Sequence, residues 1–469
     1  MENFCKKYCY FYKPNKTYND NERCGTYKFL KENSFILSQV TPKKDISNNE
    51  INKKIIELFC KEKCDYYIKD CDWTDFNVKE KIAPCGGYYF IYELFSKFPI
   101  LNDDFFIKKL EKTYLFDRKN DELYEIDDLA LNFFSKCNGE NKLYEIIVDV
   151  DSVCYLLENN IISLKEESSF KNIKIPEKNS PIPSLRYLEI QLTHRCNLKC
   201  LHCYLGKSKD IEMDFNLLKK ILDEFEEING IRVIFSGGEP FLYSKIYDLL
   251  EILENYSFRR VFLTNGTLIK EDLLKNIDEI QISIDGFEDS HDFLRGKGTF
   301  EKIVENIEII KKKNIPISIE TMIYKKNLND FDKLENFIKK IGAIEWGIDV
   351  PVVDDALKVT PEKAKPILQK KFGGSFHEPL SGFACGVHLA TVFPDGKIAK
   401  CGFYKNQPFG DLNKESLESA LQKRKFIKLT DLECAKINCK FLNECRGGCR
   451  FRAPTQFSPD PYMCFIYSS

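Results

Sequence analysis

Three cysteines within eight residues, Cys196, Cys200 and Cys203, constrain this chain more than any other feature. They form a C-x3-C-x2-C loop, closed by Tyr204, directly after the strand-like run Arg186-Tyr-Leu-Glu-Ile-Gln-Leu-Thr193. Three soft thiolates packed this tightly hold three irons of a cubane cluster and leave the fourth iron open to a ligand. Zinc wants a fourth protein ligand, which the loop does not offer. Chance clustering is the remaining reading, and the motifs downstream weigh against it.

Redox context decides how the other thiols are read. The chain carries 19 cysteines in 469 residues. Its start, Met1-Glu-Asn-Phe-Cys-Lys-Lys-Tyr-Cys, lacks the apolar stretch of a signal peptide, and no apolar run approaches the ~18 residues of a membrane span. A cytoplasmic protein with no membrane partner is expected, and there cysteines ligate metals rather than form disulfides. The net charge of −2, with both signs interspersed, gives a nucleic-acid partner no electrostatic support.

Residues 186–352 alternate strand-like and helix-like runs six times. Strands are expected near Arg186, Ile231, Arg260, Glu279, Ile315 and Ala343, with amphipathic helices such as Asn216–Glu227, Phe300–Lys312 and Asp330–Ile341 between them. Such alternation predicts a parallel sheet, curled as in a barrel, with function at the carboxyl ends of the strands. The cluster loop follows the first strand. After the second comes Ser236-Gly237-Gly238-Glu239-Pro240, where two glycines let the backbone approach a ligand and Pro240 fixes the exit. The third ends in Thr264-Asn265-Gly266. The fourth runs into Ile282-Ser283-Ile284-Asp285-Gly286, with Ser283 and Asp285 on one face. Arg295 follows, a bidentate fork suited to a carboxylate. His194, His202 and His291 lack the spacing of a metal triad and read as supporting residues.

The cysteine loop and the Gly-Gly-Glu-Pro turn, in this order, resemble the radical S-adenosylmethionine (SAM) superfamily. The resemblance implies an α/β fold built on a partial (β/α)6 barrel, with SAM bound at a 4Fe-4S cluster on Cys196, Cys200 and Cys203. Tyr204, Ser236, Gly237, Gly238, Glu239, Asn265, Ser283, Asp285 and Arg295 are the cofactor-binding candidates. Among them Glu239 matches the acidic position that meets the SAM amino group, and Ser283 and Asp285 match the strand that holds the ribose.

From Phe383 the chain is again rich in thiols: Cys385, then Cys401 after Pro394-Asp-Gly, then Cys434-x4-Cys439-x5-Cys445-x3-Cys449 and Cys464. A zinc ribbon would use four of these seven and leave three unexplained. The spacing resembles the auxiliary-cluster (SPASM) extension of peptide and sulfatase maturases. That resemblance assigns Cys434, Cys439, Cys445 and Cys464 to one complete 4Fe-4S cluster, and Cys385, Cys401 and Cys449 to a second with an open iron. Two departures matter. The gap after Cys434 is longer than usual, and Pro379 stands where some members have an eighth cysteine. Sulfatase maturases also place an aspartate after the cysteine matching Cys401, and here it is Gly402.

Residues 1–92 contain a repeat of F-C-K-x2-C followed by C-G-x-Y-x-F, in copies beginning at Phe4 and Phe59, with Cys71 extra in the second. A zinc knuckle joining the two copies, a metal held by Cys60, Cys64, Cys71 and Cys85, and a further iron–sulfur cluster are the open readings, against burial as small hydrophobes.

Residues 95–170 read as a winged-helix-like unit: strands at Lys112–Arg118 and Glu122–Ile126, a helix capped by Asp127-Asp128, and two more helical stretches. The order resembles the leader-binding, PqqD-like domains of peptide-modifying enzymes, which implies a precursor peptide added as a strand to the sheet edge. DNA binding would need a more basic unit. Cys137 and Cys154 fall on apolar faces and are expected in the core.

The expected division is therefore 1–92 cysteine-rich, 95–170 leader-binding, 171–185 proline-bearing linker, 186–352 barrel, 353–384 connector and 385–469 auxiliary clusters. The function these readings imply is installation of a thioether, of the sactipeptide/ranthipeptide type, in a ribosomal precursor peptide with a leader, driven by a flavodoxin or ferredoxin-type reductant. Carbon–carbon cross-linking, epimerisation and sulfatase-type formylglycine formation are the related alternatives. A non-catalytic iron–sulfur electron carrier or peptide chaperone is the alternative of another class, and a SAM site counts against it.

Overall fold

The computed structural model describes residues 25–35, 39–43, 45–64, 85–352, 356–373 and 381–468. The first repeat copy, with Cys5, Cys9 and Cys24, lies outside them, as do Cys71 and Pro379. Fourteen strands are described: β1 (Phe98–Leu101), β2 (Phe105–Lys109), β3 (Thr113–Asp117), β4 (Glu122–Glu125), β5 (Ile162–Lys165), β6 (Tyr187–Thr193), β7 (Arg232–Gly237), β8 (Arg259–Thr264), β9 (Glu279–Ser283), β10 (Ile317–Met322), β11 (Glu345–Asp349), β12 (Leu389–Val392), β13 (Lys397–Ala399) and β14 (Gly410–Asp411). Contacts divide the chain into two compact units, residues 1–107 with 125–175, and 108–124 with 176–469.

In the first unit, β1 pairs antiparallel with β5. Helices Asp128–Lys136 and Val150–Glu158 are capped by the carboxylates of Asp127 and Asp149, which accept from Ala130 N and Ser152 N. Cys137 and Cys154 are buried in the apolar interior, where burial raises both thiols, Cys154 to about 12. These two are core residues.

The second unit is built on one nine-stranded sheet in the order β11-β10-β9-β8-β7-β6-β12-β13-β14. The six strands β6 to β11 pair in sequence and in parallel, each within two residues or so of its expected start. β12, from the cysteine-rich tail, adds in parallel to β6, and β13 and β14 follow antiparallel. The tail thus extends the sheet rather than only following it. Hairpin residues 108–124 also belong to this unit: Arg259 Nη1 donates to the carbonyls of Arg118 and Lys119, both at 2.7 Å, and Lys108 Nζ to Gly230 O at 2.8 Å.

Alternation along the strands separates two faces. Leu188, Ile190 and Leu192 join Leu218, Ile221, Leu222 and Phe225 of helix Phe215–Glu227 in the main core. Those four recur at i, i+3, i+4 and i+7, the stripe that makes a helix pack on a sheet. The opposite face carries Glu189, Gln191, Arg232, Ser236, Arg259, Glu279, Gln281, Glu320, Glu345 and Asp349. Parallel strands covered on both faces are usually apolar throughout. This second face is polar, and its groups pair with one another: Arg259 Nη2 with Glu279 at 2.9 Å, and Gln281 Nε2 donating to Glu320 at 2.6 Å.

Candidate active site

The cluster loop leaves the carboxyl end of β6 and is tied to its neighbours by main-chain bonds. Gly238 N donates to Thr193 O (2.7 Å) and Glu239 N to Arg195 O (2.8 Å). A Cβ on Gly238 would stand 2.3 Å from Arg195 O, and one on Gly237, whose φ is +137°, 2.3 Å from Thr193 O. Only glycines let the two loops approach this closely. Leu201 N donates to Leu294 O at 2.9 Å, which fixes the middle of the loop. Asn265 Nδ2 donates to Asn197 Oδ1 (2.9 Å) and points at Cys196 Sγ (3.9 Å).

The three loop thiols lie within electrostatic reach of one another. Burial raises Cys196, and raises Cys200 to about 11, with Arg295 opposing and the other two thiols reinforcing. Among the described residues no three His, Cys, Asp or Glu groups converge closely enough for a single metal ion. Three soft thiolates on one loop suit the irons of a cubane, each of which takes a single cysteine.

Glu239 is fully buried, and its carboxylate accepts from Thr264 Oγ1 (2.8 Å), Asn265 N (2.9 Å) and Phe241 N (3.3 Å). Burial lifts it to about 7 against these donors. It links the ends of β7 and β8. Ser236 Oγ donates to Glu189 Oε1 at 2.7 Å, and Ser283 is half-buried opposite Glu320 in register.

Asp285 and Arg295 are brought together. Arg295 Nε donates to Asp285 Oδ2, while Met322 N donates to Oδ1 at 2.7 Å. His202, from the cluster loop, places Nε2 at 3.5 Å from the same carboxylate, and its buried Nδ1 has no partner among the described residues. His291 accepts from Asp285 N at Nδ1 (3.1 Å), and burial followed by Arg295 lowers it to about 4, so it is neutral. The ion pair therefore braces the cluster loop from below, and His202 is its contact. The sequence offered only its place between Cys200 and Cys203 as a signal.

Tyr204 turns toward the tail rather than toward the strand ends. Its ring meets Phe403 edge-on at 5.2 Å, and its hydroxyl accepts from Gln191 Nε2 at 3.1 Å. A Cβ on the buried Gly402 would stand 3.0 Å from that hydroxyl and 3.3 Å from Glu189 Oε2. Tyr204 lies within electrostatic reach of both Cys203 and Cys401, so it stands between two thiol sets.

The tail thiols fall into two sets. Cys401, Cys385 and Cys449 influence one another, with burial raising Cys401 to about 11. Cys434, Cys439, Cys445 and Cys464 form the other. Tyr404 faces the first set, a neighbour the sequence did not single out. Between the two sets, Asp460 accepts from Cys449 N of the first (2.9 Å) and from Arg452 Nη2 (2.8 Å), and Arg452 also pairs with Asp349 of β11. In the first unit, Cys60, Cys64 and Cys85 are half-buried; Cys60 ends a π-helical turn and Cys85 caps helix Gly86–Ser96.

Residues 190–338 match the family described as the radical SAM superfamily. The chain therefore carries a radical SAM domain and is an enzyme of that kind. It is 25% identical over 347 residues to an Fe-coproporphyrin III synthase of Methanosarcina barkeri, covering 59% of this chain and 86% of that protein. It is 23% identical over 416 residues to the antilisterial bacteriocin subtilosin biosynthesis protein AlbA of Bacillus subtilis, covering 75% and 92%. Among solved structures, Streptococcus suis SuiB bound to the precursor peptide SuiA superposes with a TM-score of 0.56 at 16% identity, over 78% of this chain and 99% of SuiB. That likeness concerns the fold. Among the described residues no helix is long and apolar enough to cross a membrane.

Proposed function

We propose that the chain is a radical SAM maturase that installs a thioether in a ribosomally made, cysteine-containing precursor peptide. The observation that carries this reading is the partition of the tail thiols into a set of four and a set of three. Four ligands complete a cluster; three leave an iron for a substrate thiolate. The match to the subtilosin protein covers 75% of this chain against 59% for the Fe-coproporphyrin III synthase, and this wider cover supports a peptide over a porphyrin as substrate.

Cys196, Cys200 and Cys203 would hold a cluster that, when bound, would supply the one-electron chemistry by which SAM is cleaved and a peptide carbon loses hydrogen. The residues of this chain position the parts. Gly237 and Gly238 keep the SAM-side turn close to the loop, and Glu239, tied to β8, offers its remaining lone pairs to the ligand's amino group. Asn265, Ser283, Asp285 and Arg295 surround the same strand ends. The Asp285–Arg295 pair has to open or share its charges for Arg295 to meet a carboxylate. Glu189, Gln191 and Glu320 line the polar face, which we read as the inner wall of a partial (β/α)6 barrel. Cys385, Cys401 and Cys449 would hold the substrate sulfur, its proton lost to solvent on binding, beside the carbon radical, where proximity favours bond formation; the one electron released as the sulfur–carbon bond forms would pass to the clusters held by the tail thiols. The leader would add as a strand at β4, the edge of sheet β2-β3-β4, whose residues Glu122, Tyr124 and Glu125 are exposed.

The test is anaerobic incubation of reconstituted, dithionite-reduced protein with SAM and candidate precursor peptides. A peptide lighter by two hydrogen atoms, formed one-for-one with 5′-deoxyadenosine and carrying a sulfur–carbon link in its fragmentation, supports the reading. 5′-Deoxyadenosine with no change in any cysteine-containing peptide counts against it.

A further inference from the structure

Most carboxyl groups on the polar face of the sheet already have their partners. Glu189 accepts from the hydroxyls of Ser236 and Thr391, both at 2.7 Å. Glu279 pairs with Arg259, and Asp349 with Arg452. Glu345 lies within electrostatic reach of Arg232 and Arg259. Glu320 differs. Its Oε1 accepts from Gln281 Nε2 at 2.6 Å, and its Oε2 has no partner among the described residues. The residue is half-buried and not sealed, so that oxygen is open to a ligand.

The backbone makes room for this carboxyl. Glu320 stands in register between Ser283 of β9 and Gly347 of β11. A Cβ on Gly347 would collide with both carboxyl oxygens. Glycine inside a strand weakens it and marks a place where another group lies close. Here that group is the carboxyl of Glu320.

Its surroundings decide its charge. Facing it are Gln281 and Ser283 of β9, both uncharged, Asp285 beyond them, and Glu345 and Asp349 of β11. Arg295 and His202 serve Asp285, and Arg452 serves Asp349, which leaves no cation for Glu320 among the described residues. Burial, reinforced by these carboxylates, pushes it up to about 8. Below that pH the group is a neutral acid. Because Oε1 is taken as an acceptor, its hydrogen belongs on the open Oε2.

The group also lies between the two thiol sets that the reaction joins. On one side, β9 leads to Asp285, which His202 of the cluster loop approaches at 3.5 Å. On the other, Asp349 leads through Arg452 and Asp460 to the backbone N of Cys449.

We infer that Glu320 donates a hydrogen bond to the backbone carbonyl of the substrate residue that loses its hydrogen, and so orients that residue between the two thiol sets. The inference rests on the peptide reading above. A neutral acid suits a carbonyl, an acceptor that every residue carries, whereas a carboxylate has no hydrogen to offer it. No bond to Glu320 is made or broken, and its proton stays in place. A peptide held out of line would leave SAM cleavage unproductive, so the loss of Glu320 shows as uncoupling.

The test uses the full-length, reconstituted, dithionite-reduced protein with SAM and a cysteine-containing precursor peptide, counting modified peptide and 5′-deoxyadenosine. No peptide modified by the unaltered protein would sink the maturase reading, and this inference with it. With modification present, kcat/KM of the unaltered protein should hold below about pH 8 and fall above it. Glu320→Ala should raise the ratio of 5′-deoxyadenosine to modified peptide by about tenfold or more, with iron content unchanged. Glu320→Gln, whose amide keeps a hydrogen to donate, should recover most of that coupling and abolish the fall above pH 8. Gly347→Ala, which pushes the carboxyl aside, should uncouple in the same direction as Glu320→Ala. A Gln variant as uncoupled as the Ala variant would overturn the inference. So would an Ala variant with an unchanged ratio, or an unaltered protein whose kcat/KM does not fall above pH 8.

Discussion

The cluster loop and the cysteine-rich tail lie in one unit and hold their thiols by opposite means. The loop is borrowed from a scaffold. It hangs from β6, whose Leu188, Ile190 and Leu192 lie in the main apolar core of this unit, and is latched by Gly238 and Asn265. The tail as far as Leu421 shares the sheet and the main core, but from Ile427 onward it has two four-residue helices, Glu433–Lys436 and Leu442–Cys445, ahead of helix Pro461–Ser468, and packs, with Ala384, a small cluster of buried residues: Ile427, Leu429, Leu432 and Cys434. Its order comes from polar bonds: Arg450 Nη1 to Ser458 O at 2.7 Å, Arg452 to Asp460 and Asp349, and Cys449 N to Asp460. A metal that binds a scaffolded loop adds chemistry to a fold already present, whereas one that binds such a tail contributes folding energy as well.

The sharpest way to break this comparison is to remove one thiol from each region. Cys200→Ala should drop 5′-deoxyadenosine formation below detection. Cys439→Ala should retain it while peptide modification is lost, as measured by chromatography of both products. If the two variants behave alike, the regions do not divide the labour as described.

Chelation comes next. After anaerobic iron removal, hydrogen exchange in residues 427–460 should approach that of unfolded chain, while β6 to β10 and the β12 strand paired with β6 keep their protection. Equal loss in both would mean that the sheet too depends on metal.

Arg452→Ala leaves the buried Asp460 without its cation and should cost about 2–4 kcal/mol of tail stability, read as an earlier melting step that spares the sheet. Gly238→Ala, by contrast, strikes the scaffolded site. Its Cβ meets the backbone of Arg195, so SAM affinity should fall by about tenfold or more with little change in iron content.

The smallest effect concerns the polar face. Glu320 is pushed up to about 8 by burial, with Glu345 and Asp349 adding to it, from an ordinary value of 4.5. The folded state therefore holds a proton there that the unfolded chain releases between about pH 4.5 and 8. That contribution to stability is present below 4.5 and is lost as pH rises through about 8. Glu320→Gln should flatten this decline and gain about 1–2 kcal/mol at pH 8, measured as melting temperature against pH.

Much of this was legible in the chain. The Cys196 loop, the Gly237-Gly238 turn and the six parallel strands announce themselves because glycine, thiol spacing and apolar periodicity are local signals. The split of the tail thiols into four and three is an expectation drawn from resemblance, and it stays with the proposal. What stayed hidden is long-range. The return of β12 to the edge of β6 is a pairing across some two hundred residues that no local pattern encodes. The Asp285–Arg295–His202 contact joins the turn after β9, the end of helix Asp289–Arg295 and the cluster loop, so Arg295 read alone looks free for a ligand. The polar face of the sheet was masked because Glu189, Gln191 and Glu320 sit among β-formers that suggest ordinary buried strands. Tyr204 follows Cys203 in sequence but packs on Phe403 of the tail, and only the fold reveals that direction.

The account turns on the set of three, Cys385, Cys401 and Cys449, taking a substrate thiolate. The direct measurement is electron paramagnetic resonance of the reduced, reconstituted Cys196→Ala/Cys200→Ala/Cys203→Ala protein, in which only tail signals remain, titrated with a cysteine-containing precursor peptide and with its serine counterpart. The account predicts that the cysteine peptide alters one of the two tail signals and the serine peptide neither. No change with either peptide, or the same change with both, would contradict it.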